Sequence, residues 1–259
     1  EIDAVLILTP HHNHSDLVIK ALNKGKAVYV EKPLALDLQS ITDIEESIYR
    51  SENPKLFIGF NRRFSKSAQF IKQKLINSPA NSINLRFSVP PLDSDHWTNI
   101  KEIGGGRIVG EAVHGIDLAC YLFDSLPQSI SASAPVDKTN NMVKDNQVFL
   151  NINFANGSHA ALQYFTEANQ ILSKERVEVH GEGNSYILED FKMLRFLEGS
   201  QDRSKTFSTG KGHKESLSIF FDYVRDKSQN PFTWEEIKAV SKAGIIAQDH
   251  INSGQQHNV

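Results

Sequence analysis

The chain has 259 residues, of which 39% are hydrophobic and 23% charged, and its 28 basic and 31 acidic side chains give a net charge of −3. This balance is typical of a globular protein and argues against nucleic acid or an anionic membrane surface as a partner. No apolar run approaches the roughly 20 residues of a membrane span, and the single cysteine, Cys120, excludes a disulfide framework and favours the cytoplasm.

The first predicted unit is a strand, a helix and a second strand. The apolar run from Asp3 to Thr9 is typical of a strand buried on both faces. Ser15 is expected to cap a helix over 16–24, and the second strand is predicted at 27–30. The strands of such a unit are parallel neighbours, so the residues that follow them meet at one edge of the sheet. Open α/β sheets bind their ligands at that edge.

The second strand runs directly into Glu31-Lys32-Pro33. A residue before proline is restricted to extended conformations, so we expect Lys32 to be displayed at the ligand-binding edge of the sheet. The alternative is an ordinary exposed lysine beside a proline that ends a strand.

Beyond this unit the pattern predicts helices first and then alternating strands. Asp37 is expected to cap a helix over 37–50, and Asn156-Gly157 is a hairpin signal. The strands predict an antiparallel sheet of six or seven members, interrupted by a helix at 109–123. The polar segments 137–145 and 199–212 are predicted to be mobile loops. The remaining predicted elements are strands at 55–60, 83–89, 128–134, 147–154, 159–166, 176–180, 185–188 and 193–197, and helices at 65–76, 214–227 and 233–252.

A further motif begins at Gly104-Gly105-Gly106 and continues into a helix that contains His114 and Asp117. Two other motifs precede it, Thr9-Pro10…His14 and Glu31-Lys32-Pro33. On these three motifs the chain resembles the glucose-fructose oxidoreductase, inositol dehydrogenase and rhizopine-catabolism (Gfo/Idh/MocA) family of NAD(P)-dependent sugar dehydrogenases. The motifs occur in the family's order over nearly the whole chain. Each one alone is weak, and the three in order are fairly specific.

The resemblance implies an α/β part followed by an α+β part. The first is a truncated Rossmann-type, doubly wound parallel sheet at 1–62, and the second is a mainly antiparallel sheet domain with helices at 63–259. A Rossmann fold binds pyrophosphate through a Gly-x-Gly-x-x-Gly turn, which this sequence does not contain. We therefore expect a fragment that is inactive by itself and in which NAD and NADP cannot be distinguished. The stretch at 104–111, Gly-Gly-Gly-Arg-Ile-Val-Gly-Glu, resembles the form of this motif found in the C-terminal part of two-part bacterial oxidoreductases.

Oxidation of a secondary alcohol needs a hydride acceptor, a base for the hydroxyl proton and a cation that stabilises the alkoxide. The unperturbed pKa of histidine, near ~6.5, suits a base. We therefore assign His114 as the proton acceptor and Lys32 as the orienting cation, with the reverse assignment open. The resemblance implies an aspartate four residues before His114, where this chain has Gly110. Glu111 lies on nearly the same helical face and is either its substitute or an exposed helix residue.

The resemblance also places the cofactor beside the first two strand ends, with His14 near the nicotinamide. The cofactor-binding residues that it implies are Thr9, Pro10, His14, Glu31, Lys32 and Pro33. Three histidines in one turn, His11, His12 and His14, would also suit a zinc site. No cysteine or carboxylate accompanies them, so we predict no metal.

Four further residues are candidate substrate contacts. Arg62 and Arg63 suit a phosphate or carboxylate, or they form a solvated basic pair. Asp117, one turn after His114, either orients that imidazole or balances local charge. Trp97 is either a stacking platform for a sugar ring or a core residue.

The predicted function is that of an NAD(P)-dependent oxidoreductase acting on a sugar, a nucleotide sugar or a cyclic polyol. The alternative is an inactive family member that serves as a binding or oligomerisation module, which Gly110 and the missing glycine turn favour. One face of the antiparallel sheet is expected to form a homo-oligomer, unless a layer of helices buries that face instead.

Overall fold

The computed structural model describes residues 2–93, 95–135, 145–208 and 210–253. Within these ranges the strands form two sheets, a parallel sheet of three strands and a mixed sheet of eight strands. The loop predicted at 137–145 lies outside the described residues, apart from Asp145. None of the described helices combines the length and hydropathy that crossing a bilayer requires.

The parallel sheet has the order β1-β2-β3, and its central strand β2 is completely buried. Asp37 caps the second helix as predicted, because its carboxylate accepts a hydrogen bond from Ser40 N at 2.8 Å. The first helix begins earlier than predicted. A 3-10 turn at His11–Asn13 continues into it, so Ser15 lies inside the helix and is not its cap. The elements of this part are β1 (Ala4–Ile7), α1 (His14–Leu22), β2 (Ala27–Val30), α2 (Leu38–Arg50) and β3 (Leu56–Ile58).

The larger sheet has the order β11-β10-β9-β8-β4-β7-β6-β5. It differs from the prediction in two ways. It has eight strands in the described residues, and β4 pairs with β7 in parallel while the other pairs are antiparallel. Its strands are β4 (Ser82–Ser88), β5 (Pro127–Ser133), β6 (Gln147–Phe154), β7 (His159–Phe165), β8 (Glu175–Gly181), β9 (Asn184–Glu189), β10 (Met193–Glu198) and β11 (Gln201–Thr206).

The extra strand β11 lies within 199–212, which was predicted to be a loop, and that prediction was wrong. Every residue of β11 is exposed, and its sequence has no apolar alternation. It pairs with β10 along its whole length. Its strand structure therefore follows from backbone pairing with β10 and not from the pattern of its own side chains. Edge strands that are short and charged in this way resist pairing with other chains.

Helices cover one face of the larger sheet. The apolar residues of β6 alternate with exposed ones, and helices α5 and α7 pack over this part of the sheet. At Gly115 of α5 a Cβ would collide with Leu162 of β7, so the helix lies directly on the sheet. The opposite face keeps exposed apolar groups such as Phe149, which is 42% exposed. The helices of this part are α3 (Lys66–Leu75), α4 (Lys101–Gly104), α5 (Val113–Phe123), α6 (His213–Val224) and α7 (Trp234–Ser253).

The helix predicted at 109–123 is interrupted near its start. Residues Ile108–Ala112 form a π-helical turn, and the regular α5 begins only at Val113. Before this turn, Gly105 and Gly106 have φ of 78° and 97°, the left-handed region in which glycine is tolerated best. The glycine run therefore ends α4 and directs the chain into the π turn.

Candidate active site

The three parallel strands end side by side and form the floor of the site. Glu31 N donates to Ile7 O at 3.0 Å, and Gly59 N donates to Val30 O at 2.8 Å. Lys32 follows immediately, and the Lys32-Pro33 peptide bond is cis. Lys32 is therefore at the carboxyl edge of the sheet, as the sequence predicts.

The ammonium of Lys32 binds to the π turn of the second part of the chain. Its Nζ donates to Gly110 O and lies 2.9 Å from Glu111 Oε1. The Lys32 side chain is 13% exposed and that of Glu111 is 38% exposed, so the pair opens onto solvent on the Glu111 side. Glu111 is thus an ion-pair partner of Lys32 and not an isolated helix residue.

The π turn explains how two consecutive residues both reach this ammonium. Its hydrogen bonds run from residue i to i+5, which widens the helix locally, and such turns occur frequently at functional sites. Gly110 offers its carbonyl and Glu111 its carboxylate to the same Nζ atom. The turn thus brings a carboxylate to Lys32 from the position that follows Gly110.

His114 lies one turn further along the helix and is 4% exposed. Its ring stands 6.5 Å from that of Phe60, at 70°. Burial lowers the pKa of His114 well below its usual value, and the positive charges of Arg62 and Lys32 lower it further. The imidazole is therefore neutral near pH 7 and has a lone pair with which to accept a proton. Lys32 thus contacts Glu111 directly, and His114 lies within the electrostatic reach of Lys32.

Opposing effects act on the ionisation of Glu111. Burial alone would raise the pKa of its carboxyl group, but the charge and hydrogen bond of Lys32 lower it overall, with Arg62 adding to this. Glu111 is therefore ionised at neutral pH. The pair consists of a full carboxylate and an ammonium that it holds in place.

Arg62 is buried beside this group, but its guanidinium is engaged. Nε and Nη2 lie 2.7 and 2.9 Å from the two carboxylate oxygens of Glu175, and Lys211 also donates to that carboxylate. Burial would raise the pKa of Glu175, and Arg62 and Lys211 lower it. Sequence reasoning missed Glu175, because the first residue of a strand far along the chain gives no local signal. Arg62 is thus not the solvated group that one alternative envisaged.

Arg63 and Asp117 bind each other and not the site. Nη2 and Nε of Arg63 lie 2.5 and 3.1 Å from the Asp117 carboxylate oxygens, and both side chains are almost fully buried. Arg63 also packs on the Phe232 ring, with its guanidinium carbon 4.5 Å from the ring centre. In this arrangement Asp117 balances the charge of Arg63, and no hydrogen bond joins it to His114 among the described residues.

His14 connects the ends of the first two strands. Its Nδ1 lies 2.7 Å from Pro33 O and its Nε2 lies 2.9 Å from Thr9 O. The residue is completely buried at the start of α1. Both ring nitrogens are therefore occupied by the protein's own backbone, and His14 fixes the geometry of the turn.

His11 and Trp97 pack against each other. The two rings meet edge to face with centres 4.8 Å apart, and His11 Nδ1 lies 2.8 Å from Gly104 O. Burial, with a smaller effect of the Lys32 charge, lowers the pKa of His11 to about 4. His12 is exposed. No group of three or more metal-binding side chains occurs in the described residues.

The carboxyl edge suits the nicotinamide end of a dinucleotide. His114 Nδ1 is buried and has no hydrogen-bond partner among the described residues, and the Lys32–Glu111 pair is open to solvent. Hydride acceptance is the chemistry that nicotinamide supplies when bound. The pyrophosphate-binding glycine turn is absent from the sequence, so the residues present fit this end of the cofactor alone.

Sequence comparison assigns both parts of the chain to one family. Residues 1–60 match the oxidoreductase family with an NAD-binding Rossmann fold, and residues 79–187 match the GFO/IDH/MocA C-terminal domain. These segments together make up well over half of the chain. The chain belongs to the Gfo/Idh/MocA family of oxidoreductases, and its first part is an NAD-binding Rossmann domain.

Its similarity to characterised relatives is moderate. Inositol 2-dehydrogenase of Rhizobium meliloti is 27% identical over 237 residues, which are 80% of this chain and 69% of that protein. The scyllo-inositol 2-dehydrogenase (NAD(+)) of Bacillus subtilis is 31% identical over 133 residues, 50% of this chain and 38% of that protein. The chain thus spans only part of the length of these relatives.

A solved structure supports the fold directly. The aldose-aldose oxidoreductase of Caulobacter crescentus superposes with a TM-score of 0.83 at 16% identity, covering 98% of this chain and 78% of that one. At this identity the superposition establishes a common fold and nothing about substrate. The predicted combination of a Rossmann-type sheet and a larger sheet with helices is confirmed.

Proposed function

We propose that the protein containing this chain is an NAD(P)-dependent dehydrogenase that oxidises a secondary hydroxyl of a sugar, a nucleotide sugar or a cyclic polyol. The observation that carries the proposal is the contact of Lys32 with Glu111 at the edge of the parallel sheet, beside the neutral imidazole of His114. The relatives named as inositol dehydrogenases support the substrate class.

Each of the three residues has a distinct role. Lys32 donates a hydrogen bond to the reacting hydroxyl oxygen and stabilises the negative charge that develops there. His114 accepts the hydroxyl proton. Its lowered pKa keeps the imidazole unprotonated at neutral pH and also makes it a weaker base than a free histidine. Glu111 positions the Lys32 ammonium through the ion pair at 2.9 Å. The reverse assignment of Lys32 and His114 predicts a different pH profile and is distinguished by the same assay.

The remaining predicted site residues act around this core. Trp97, packed against His11, offers a ring face to a sugar, and Thr9, Pro10, Glu31 and Pro33 line the strand ends where the cofactor binds. Arg62 places a positive charge near His114. The ion pair of Arg63 with Asp117 joins the turn after β3 to α5, the helix that carries His114.

An oligomer through the larger sheet accompanies this function. The face opposite the helices exposes Phe149 and Met193, at 42% and 61%. Helices bury the other face, so an interface between copies would use the open one. Sedimentation of the wild type and of a Phe149→Lys variant tests this, since a charge at such an interface should dissociate the copies.

The activity assay uses the natural protein that contains this chain. Reduction of NAD and NADP is followed by absorbance across a panel of inositols, aldoses and nucleotide sugars. Lys32→Ala should lower kcat/KM by about 10²–10³-fold through loss of one charge-stabilising donor. Lys20→Ala, which removes an exposed lysine of α1, is the control and should retain wild-type activity. Absence of turnover with both cofactors would instead support the inactive binding module.

A further inference from the structure

The tautomer of His11 follows from its surroundings. Nδ1 lies 2.8 Å from Gly104 O, and a carbonyl oxygen only accepts hydrogen bonds, so the ring proton is on Nδ1. With a pKa of about 4 the ring is neutral at physiological pH. Nε2 is therefore unprotonated and can only accept. It makes no hydrogen bond to any of the described residues.

The position of the ring shows where this acceptor lies. A Cβ added at Gly110 would be 3.3 Å from His11 Cε1, the carbon between the two ring nitrogens. Gly110 is also the residue whose carbonyl binds the Lys32 ammonium. The charges of Lys32 and Glu111 both act on His11. The imidazole thus occupies the space into which a side chain at position 110 would project, next to the Lys32–Glu111 pair.

We infer that His11 Nε2 accepts a hydrogen bond from a substrate hydroxyl next to the one that Lys32 binds, which makes His11 a specificity-determining residue. This inference rests on the proposed dehydrogenase function and narrows its substrates to vicinal diols. The imidazole occupies the space beside Gly110 and supplies an acceptor without a charge. A site built to bind a hydroxyl discriminates strongly against an analogue that lacks it, because the acceptor is then left unpaired.

The packing of the ring supports this role. Trp97 packs on one edge of the imidazole and Gly104 O binds Nδ1, so two contacts fix the orientation of the ring. The contacts orient a single acceptor and leave it without a partner of its own.

The test compares wild type with His11→Phe, which keeps a planar ring and removes both nitrogens. Substrates are myo-inositol, scyllo-inositol and glucose, each paired with monodeoxy derivatives that lack one hydroxyl beside the reacting carbon. Wild type should discriminate against one deoxy derivative at least ~10-fold in kcat/KM. His11→Phe should lose that discrimination by slowing turnover of the parent compound, with the deoxy derivative nearly unaffected. Equal losses with both compounds would show a merely structural role and overturn the inference.

Two further variants distinguish loss of the acceptor from misfolding of the His11→Phe variant. His11→Gln retains an acceptor and should recover part of the discrimination. Gly110→Ala should reduce it, because its Cβ lies 3.3 Å from His11 Cε1 and displaces the ring. His12→Phe, the same change at the exposed neighbour, should discriminate as wild type does. If His11→Gln discriminates no better than His11→Phe, or if Gly110→Ala discriminates as wild type does, the inference is wrong.

Calorimetric titration of the same compound pairs separates this inference from the proposed function. Tighter binding of a parent compound than of its deoxy derivative, abolished by His11→Phe, supports the role of His11 even without turnover. Discriminating binding without oxidation by either cofactor would overturn the dehydrogenase proposal alone. Oxidation without any discrimination that depends on His11 would overturn the inference alone.

Discussion

Arg63 and Asp117 form a two-point ion pair that is 3% and 1% exposed, and it joins the turn after β3 to the middle of α5. Asp117→Asn removes the two-point charge partner of the buried guanidinium and leaves it the longer contact from Nη1 to Glu236 at 3.3 Å. Removal of one partner from a buried pair costs about 3–5 kcal/mol. We therefore expect the free energy of unfolding in urea to fall by up to this amount.

The matched control for that variant is Asp202→Asn. Asp202 pairs with Arg195 at 2.6 Å, but both side chains are more than half exposed. Exposed pairs contribute about 0–1 kcal/mol, so this control should change stability little. A loss of similar size in both variants would contradict the structural role assigned to Arg63 and Asp117.

Glu111→Gln tests how the Lys32 ammonium is held. The amide keeps the shape of the side chain and removes the charge of the ion pair at 2.9 Å. We expect kcat/KM to fall about 10- to 100-fold, because misplacement of a catalytic group by about 1 Å has an effect of this order. The control is Glu46→Gln, which breaks an exposed pair with Arg50 on α2 and should leave the kinetics unchanged. Unchanged kinetics for Glu111→Gln would show that the ion pair of Glu111 with Lys32 does not contribute to turnover.

His14→Phe should destabilise the protein without direct contact with the substrate. The change removes the ring from two backbone carbonyls, Pro33 O in a buried position and Thr9 O in a partly buried one. A neutral imidazole has one N–H to donate, and an unsatisfied buried polar group costs about 1–3 kcal/mol, so we expect a loss of about 1–3 kcal/mol in chemical denaturation. His12→Phe at the exposed neighbouring position should be close to neutral. Unchanged stability of His14→Phe would mean that water or a shifted backbone replaces these bonds.

His11 should make the protein less stable in acid. Its pKa is about 4 in the folded chain and 6.5 in the unfolded chain, so between these values the unfolded state binds more protons. The stability it contributes is present above pH 6.5 and is lost as the pH falls toward 4. Each pKa unit corresponds to about 1.4 kcal/mol, so 2.5 units amount to roughly 3 kcal/mol. The free energy of unfolding of His11→Phe should accordingly vary less over this range, and identical slopes would refute the assignment.

Elements with local signals were predicted well. Strand β2 and strand β6 have the predicted boundaries, and Asp37 caps α2 as expected. Thr233 and Glu236 form a capping box at the start of α7, since Thr233 N donates to Glu236 Oε2 and Glu236 N donates to Thr233 Oγ1. These features depend on residues next to each other in the chain, and the sequence contains all the information that they need.

Features defined by distant partners were not predictable in this way. The parallel pairing of β4 with β7 joins segments far apart in the chain, and no turn signal fixes its direction. The π turn at Ile108–Ala112 looks like ordinary helix in its pattern of apolar residues. Glu175 became visible as a partner of Arg62 only when both were placed in three dimensions. The sequence therefore contains the motif residues that the fold places at the sheet edge, and it does not reveal the contacts that hold them.

The ion pairs of Arg62 and Arg63 limit how far the parallel sheet and the larger sheet can separate. Consecutive residues after β3 reach in different directions, one to Glu175 on the outer sheet and one to Asp117 on the helix beneath it. Swinging the two sheets apart would expose both cations at once and break four charged hydrogen bonds. These four bonds therefore oppose a hinge motion between the parallel sheet and the larger sheet at this point.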